Sequence, residues 1–236
     1  MSASTLPDLR AVMERLLGLA EEVDESCTTS TGDLSPEDVA SALRQLEDAM
    51  SRATAEDIPR GLSQLSDQGL QLIAELSAMA SEAGIADTAR EVELVSLPFV
   101  LWTVRQGARI GVLAPVVNAL AVQANAVRRP EELAQMFRDM TEIVDAVIPE
   151  AQENAELDTG HPWRVLILNR AIVATRSHDP AMMEEAFDAI IDNLPGDALN
   201  FFQEAMGQMD AIGYPSQVRE IVNGYYLRVA GPPTIH

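Results

Sequence analysis

Between Glu93 and Glu131 the chain carries no acid, and its only charges there are Arg105, Arg109, Arg128 and Arg129. A guanidinium is a planar fork of N–H donors that fits carboxylate or phosphate oxygens two at a time. Trp102 stands one helical turn ahead of Arg105–Gln106, where its ring could line the same place. These five residues are the candidate binding positions, for an acidic peptide or a small anionic ligand. The competing expectation is that each arginine pairs with an acid of a neighbouring helix.

The other reactive side chains point to structure rather than chemistry. Cys27 lies in a Ser/Thr-rich loop with Asp24, Glu25 and Asp33 close in sequence. A nucleophilic thiolate needs cationic or helix-N-terminal neighbours, so this cysteine reads as an incidental thiol. As the only cysteine it also rules out a disulfide within the chain. The three histidines are His161, His178 and His236, and no HExxH, CxxC or Glu-x-x-His spacing joins them to further ligands. Asp158 and His161 precede a helix beginning at Pro162, whereas His178-Asp179-Pro180 reads as a turn in which Asp179 caps the next helix. Glu131-Glu132 and Glu184-Glu185 fall in first turns, where the helix dipole accounts for them. No nucleophile elbow is present. We therefore assign no catalytic residue, no metal and no cofactor, and expect a role other than an enzyme's.

Composition narrows the field further. Sixteen basic against thirty-seven acidic residues give a net charge of −21, and every basic residue is arginine. Without lysine there is no Schiff base and no P-loop lysine. The acids are spread evenly, 19 with 8 arginines in residues 1–118 and 18 with 8 in 119–236. Such a surface repels phosphate backbones, so no nucleic-acid partner is expected. The segment 1–23 carries Asp8, Glu14, Glu21 and Glu22 where a signal peptide needs an apolar run. The most apolar region, Leu94–Val127, is interrupted by Arg105 and Arg109; its uncharged remainder, Ile110–Val127, contains Pro115, Asn118, Gln123 and Asn125, and a helix of that length spans only about 27 Å. A buried helix, no membrane and a cytoplasmic protein are the expectations.

The elements that would hold these residues are all helical, since apolar positions recur at helical spacing and no strand alternation is evident. The pattern predicts helices near 7–22, 36–50, 60–83, 88–106, 111–127 and 130–148. Four more begin near 162, 180, 197 and 215. Pro98 should kink or split the fourth helix near Leu94. Helices four and five are expected to form an apolar hairpin over 88–127. The last four starts lie 17–18 residues apart, so a helix pair recurs about every 35 residues, the period of helix-pair solenoids. Set against the tetratricopeptide pattern, Pro195 takes the terminal proline, Phe187 the large apolar position and Ala171 a small one. Ala174 falls where the first-helix tyrosine would stand, so the segment reads as generic helix-pair stacking and no family is named.

The expected fold is all-α, with nine or ten antiparallel helices and a C-terminal part stacked as pairs, either a tetratricopeptide- or HEAT-like superhelix or an irregular bundle. Its parts are an N-terminal helix and loop (1–34), a helical layer (35–149), an acidic linker (150–160) and the helix pairs (161–236), in one continuous body. The function expected first is a non-catalytic scaffold or adaptor for a protein or peptide partner. One alternative is a small anionic-ligand-binding or cofactorless enzyme pocket between the apolar helices near Arg105 and Arg109. Another is a homo-oligomer joined through an apolar helix face.

Overall fold

The computed structural model describes residues 8–26, 34–55 and 59–231; Cys27 and His236 lie outside them. Among the described residues the chain forms ten α-helices and no strand. They are α1 (Leu9–Ser26), α2 (Pro36–Ala55), α3 (Pro59–Glu82), α4 (Ala86–Arg105) and α5 (Ala114–Ala126). After these come α6 (Pro130–Ala146), α7 (Pro162–Ser177), α8 (Pro180–Asn193), α9 (Pro195–Ile212) and α10 (Ser216–Ala230). None of them is long and apolar enough to cross a membrane.

Local chemistry sets most boundaries. Six helices begin on a proline, whose fixed φ and missing N–H suit the first helical position. At α2, Ser35 Oγ accepts from the Asp38 N–H (3.1 Å) while Asp38 Oδ2 accepts from the Ser35 N–H (2.9 Å), a reciprocal capping box. The Ser35 hydroxyl, which also donates to it, and then this N–H hold the Asp38 carboxyl below its ordinary range. Asp179 Oδ1 caps α8 by accepting from Ala181 and Met182 N–H at 3.0 and 3.2 Å, as the turn sequence predicts. His178 closes α7 in the left-handed conformation, φ 59°.

The structure divides into two units: residues 1–125 with 145–151, and residues 126–144 with 152–236. In the first, α1 packs on α2 and α4, and α3 packs on α2 and α4, closing a four-helix ring. Its core is built from Met13, Leu16, Leu19 and Val23 of α1, Leu43 and Met50 of α2, Leu70, Ile73 and Leu76 of α3, and Val92, Phe99 and Val100 of α4. Because Val23 packs inside, α1 continues to Ser26 rather than stopping at Glu22.

Two features here have the same cause, that burial outweighs local preference. Pro98 lies inside a single α4 and does not split it; the helix buries Ser96, Leu97, Phe99, Val100, Leu101 and Thr103 around the proline. Nor do α4 and α5 pair as a hairpin of the expected kind, because α4 spends its apolar faces on α3 and α1. It meets α5 where Ser96 Oγ donates to the Pro115 carbonyl, 3.2 Å. The fifth helix starts three residues late because 107–113 is occupied otherwise. Ile110 N–H donates to the Ala146 carbonyl and Ile148 N–H to the Ile110 carbonyl, both 3.0 Å, forming an isolated parallel bridge. Asp67 Oδ1 accepts the Gly111 and Val112 N–H groups at 2.8 and 3.0 Å.

In the second unit α7 packs on α8, α8 on α9, and α10 on both α9 and α8. Phe187 of α8 sits at the centre, with the Phe201, Phe202 and Tyr225 rings 6.1, 5.1 and 5.2 Å away in edge-to-face geometry. Leu199 of α9 is 42% exposed, and Ala198 takes the buried position beside it.

Candidate functional site

Helix α7 organises the second unit. It is buried nearly all round, through Trp163, Leu166, Ile167, Ala171, Val173 and Ala174, yet it carries three arginines and no acid. Each arginine has a definite job. Arg164 grips Asp197 at the start of α9, with Nε donating to Oδ2 at 2.7 Å and Nη2 reaching Oδ1. Both side chains are mostly buried, 15% and 17% exposed, so this fork-to-fork pair is shielded from solvent screening.

Arg170 is buried. Its Nε donates to Thr141 Oγ1 at 3.0 Å, its Nη2 pairs with Glu185, and its guanidinium lies 4.4 Å over the Phe137 ring. An acid, a hydroxyl and an aromatic face together meet the cost of taking this cation out of water. Arg176 Nη2 donates to the Val127 carbonyl at 2.7 Å.

The Arg164–Asp197 bond joins residues 33 apart, and α7 and α9 start with the same offset, at Pro162 and Pro195. The two helices therefore run side by side in one direction, with α8 as the return between them. Towards their C-terminal ends they leave a furrow of about 340 Å³. From α7 it is lined by Ile172, Thr175 and Arg176; from α9, by Phe201, Glu204, Ala205, Gln208 and Met209; Tyr214 closes it from the following turn. Ile172–Ala205 and Thr175–Gln208 repeat the same offset across it. His178 steadies that end, its ring edge-on to Tyr214 at 5.4 Å.

The furrow offers apolar surface from Ile172 and Phe201, hydrogen-bonding groups from Gln208 and Tyr214, and one charge of each sign, with Met209 and Thr175 buried at its base. It can grip and orient a ligand, and its Thr175 hydroxyl is engaged with the Ala171 carbonyl at 2.8 Å. His161 is occupied as the cap of α7, its Nδ1 accepting from the Trp163 N–H at 3.3 Å, and Asp158 Oδ1 accepts the Gly160 N–H at 2.8 Å. Among the described residues no group of three His, Cys, Asp or Glu side chains is placed to hold a metal ion.

The five positions singled out in the sequence fall elsewhere. Trp102 and Arg105 are half-buried in the last turn of α4, and Arg109 follows in the loop, all in the first unit. Arg109 acts as a clasp, with Nη1 and Nη2 donating to the Asp145 and Val147 carbonyls at 2.9 and 3.1 Å. Arg128 and Arg129 are exposed in the second unit. Arg129 pairs with Glu132 one turn on, and that hydrogen bond raises its pKa. Arg128 Nη1 reaches its neighbour's carbonyl, that of Val127, at 3.4 Å.

Sequence inspection missed the furrow residues, although a signal exists. Positions 172, 175 and 176 and positions 201, 204, 205 and 208 put mixed side chains at three-and-four spacing on one face of each helix. The 33-residue offset then superposes the two sets. Arg170 was legible too, since it sits in register with Leu166, Ile167, Ala171 and Ala174 on an apolar stripe. Comparison with known proteins finds no matching family model, no matching curated protein and no matching solved structure.

Proposed function

We propose that the chain is a non-catalytic, cytoplasmic adaptor whose α7–α9 furrow receives a peptide segment of a protein partner. The observation that carries this reading is the shared direction and offset of the two helices, which sets their side chains facing across an open furrow of about 340 Å³. Stacked helix pairs use their apolar stripes to join one helix to the next, leaving such grooves as the surface that selects a partner. Ile172, 45% exposed, and the Phe201 ring provide an apolar seat. Gln208 and Tyr214 supply donors and acceptors for a peptide backbone, the combination that fixes both affinity and orientation in a concave site. The anionic-ligand alternative at Arg105 and Arg109 has no such support, because the Arg109 fork is directed at backbone carbonyls.

Random-peptide display on the intact chain tests the proposal. Selected peptides should converge on an apolar anchor. Their affinity should fall at least tenfold, about 1.4 kcal/mol, when Ala205→Trp fills the furrow or Ile172→Glu charges it. Circular dichroism confirms that the variants stay folded. Peptides that bind both variants as tightly as the parent, or a selection that never converges, would refute it.

A further inference from the structure

Helix α10 buries only Val218 and Val222, and its opposite stripe faces solvent. That stripe reads Gln217, Glu220, Ile221, Gly224, Leu227 and Arg228 at three-and-four spacing. Ile221 is half-buried, the others are exposed, and Leu227 is 57% exposed. The stripe is symmetric in chemistry about Gly224. Three residues to either side stand the apolar Ile221 and Leu227; four to either side stand the oppositely charged Glu220 and Arg228. An antiparallel copy of the helix, related by a twofold axis through Gly224, would set Ile221 against Leu227 and Glu220 against Arg228, each twice.

Three further observations fit that arrangement. A Cβ added at Gly224 meets nothing within 4 Å, so the crossing point is open, and the missing side chain lets two backbones approach. With Arg219, Glu220 and Arg228, α10 has a net charge of +1 in a chain of −21, so the helix itself adds no repulsion towards a second copy, while Asp188 of α8 is neutralised by its pairing with Arg228. Arg228 Nη1 donates to Asp188 at 2.8 Å, which holds the guanidinium in place while the side chain stays 58% exposed. The geometry points to α10 as a self-complementary docking surface for a second copy of this chain, antiparallel and centred on Gly224.

Such an interface is isologous: what one copy offers, the other accepts. A helix of 15 residues is about 22 Å long and cannot by itself bury the ~1,200 Å² usual for a stable dimer. The association is therefore weak and exchanges rapidly.

Sedimentation equilibrium of the intact protein, run from micromolar to millimolar concentration, should show the mean mass rising from monomer towards dimer. Glu220→Arg and Arg228→Glu should each weaken the dimer about tenfold or more, because each places like charges opposite one another. The double exchange should restore it. Arg228→Glu also loses the Asp188 contact, so Leu227→Glu, which touches no partner within the chain's own ion pairs, is measured alongside and should abolish dimerisation. Gly224→Cys in a Cys27→Ser background should cross-link on oxidation. A strict monomer throughout, a double exchange as weak as the single variants, or a dimer that survives Leu227→Glu would each overturn the proposal, and peptide binding at the furrow is unaffected either way.

Discussion

Gly69 offers a sharp test of how the four-helix ring is packed. It is buried within α3, and a Cβ there would lie 2.3 Å from Phe99 Cζ, 2.8 Å from Cε1 and 2.9 Å from Leu46 Cδ2. Carbon atoms in contact settle at about 3.5 Å or more, so Gly69→Ala forces the Phe99 ring back by roughly 1.2 Å. The ring is wholly buried, with the equally buried Val100 next to it in α4, and has no solvent to retreat into. Overpacking of this size costs about 3 kcal/mol, and the better helix propensity of alanine returns about 1, leaving a net loss of about 2 kcal/mol. That corresponds to a fall in melting temperature of roughly 4–8 °C. Trp102 of α4 reports on this unit and Trp163 of α7 on the other, so urea unfolding followed by fluorescence in a Trp163→Phe background isolates the relevant transition. Phe99→Leu should recover part of the loss in the double variant, a coupling that only contacting residues show. Gly18→Ala is the control: nothing lies within 4 Å of its Cβ, so it should stabilise by up to about 1 kcal/mol. If Gly69→Ala is neutral or stabilising, or if the two substitutions behave alike, Gly69 does not seat Phe99 as described.

Two more outcomes are expected from the second unit. Asp179→Ala removes the acceptor for the Ala181 and Met182 N–H groups and should cost about 1 kcal/mol in equilibrium unfolding, with Asp179→Asn recovering most of it. Tyr225 is pushed up to about 12, first by burial and then by Asp188. Its folded pKa lies above the ordinary value of 10.0, so its contribution to stability is complete below pH 10 and is lost as pH rises towards 12. Ultraviolet titration should show a late-ionising phenol that Tyr225→Phe removes; a titration curve whose late part survives Tyr225→Phe would contradict the burial.

Where the chain carries its own punctuation, the elements were legible without coordinates. Proline at the first position, Ser35 and Asp179 as caps, and glycine at Gly84 and Gly213 act through neighbouring backbone groups, so sequence alone determined the all-helical class and most boundaries. Periodicity likewise marked which faces turn inward, because a helix's apolar side must be buried against something.

What it is buried against was decided only by the tertiary structure. Pro98 leaves α4 whole because burial on α1 and α3 outweighs the lost hydrogen bond, and 107–113 gives up its helical potential to Asp67 and the end of α6. The arginines separate on the same principle. Arg109, Arg164, Arg170 and Arg176 are alike as residues, yet they become a clasp on carbonyls, a shielded ion pair, a buried cation over Phe137 and one wall of a furrow. A guanidinium takes its role from whichever acceptors folding brings within 3 Å, and those acceptors lie 15 to 49 residues away in the chain. Helical spacing is a local property that sequence records directly; the pairing of distant groups is settled by packing.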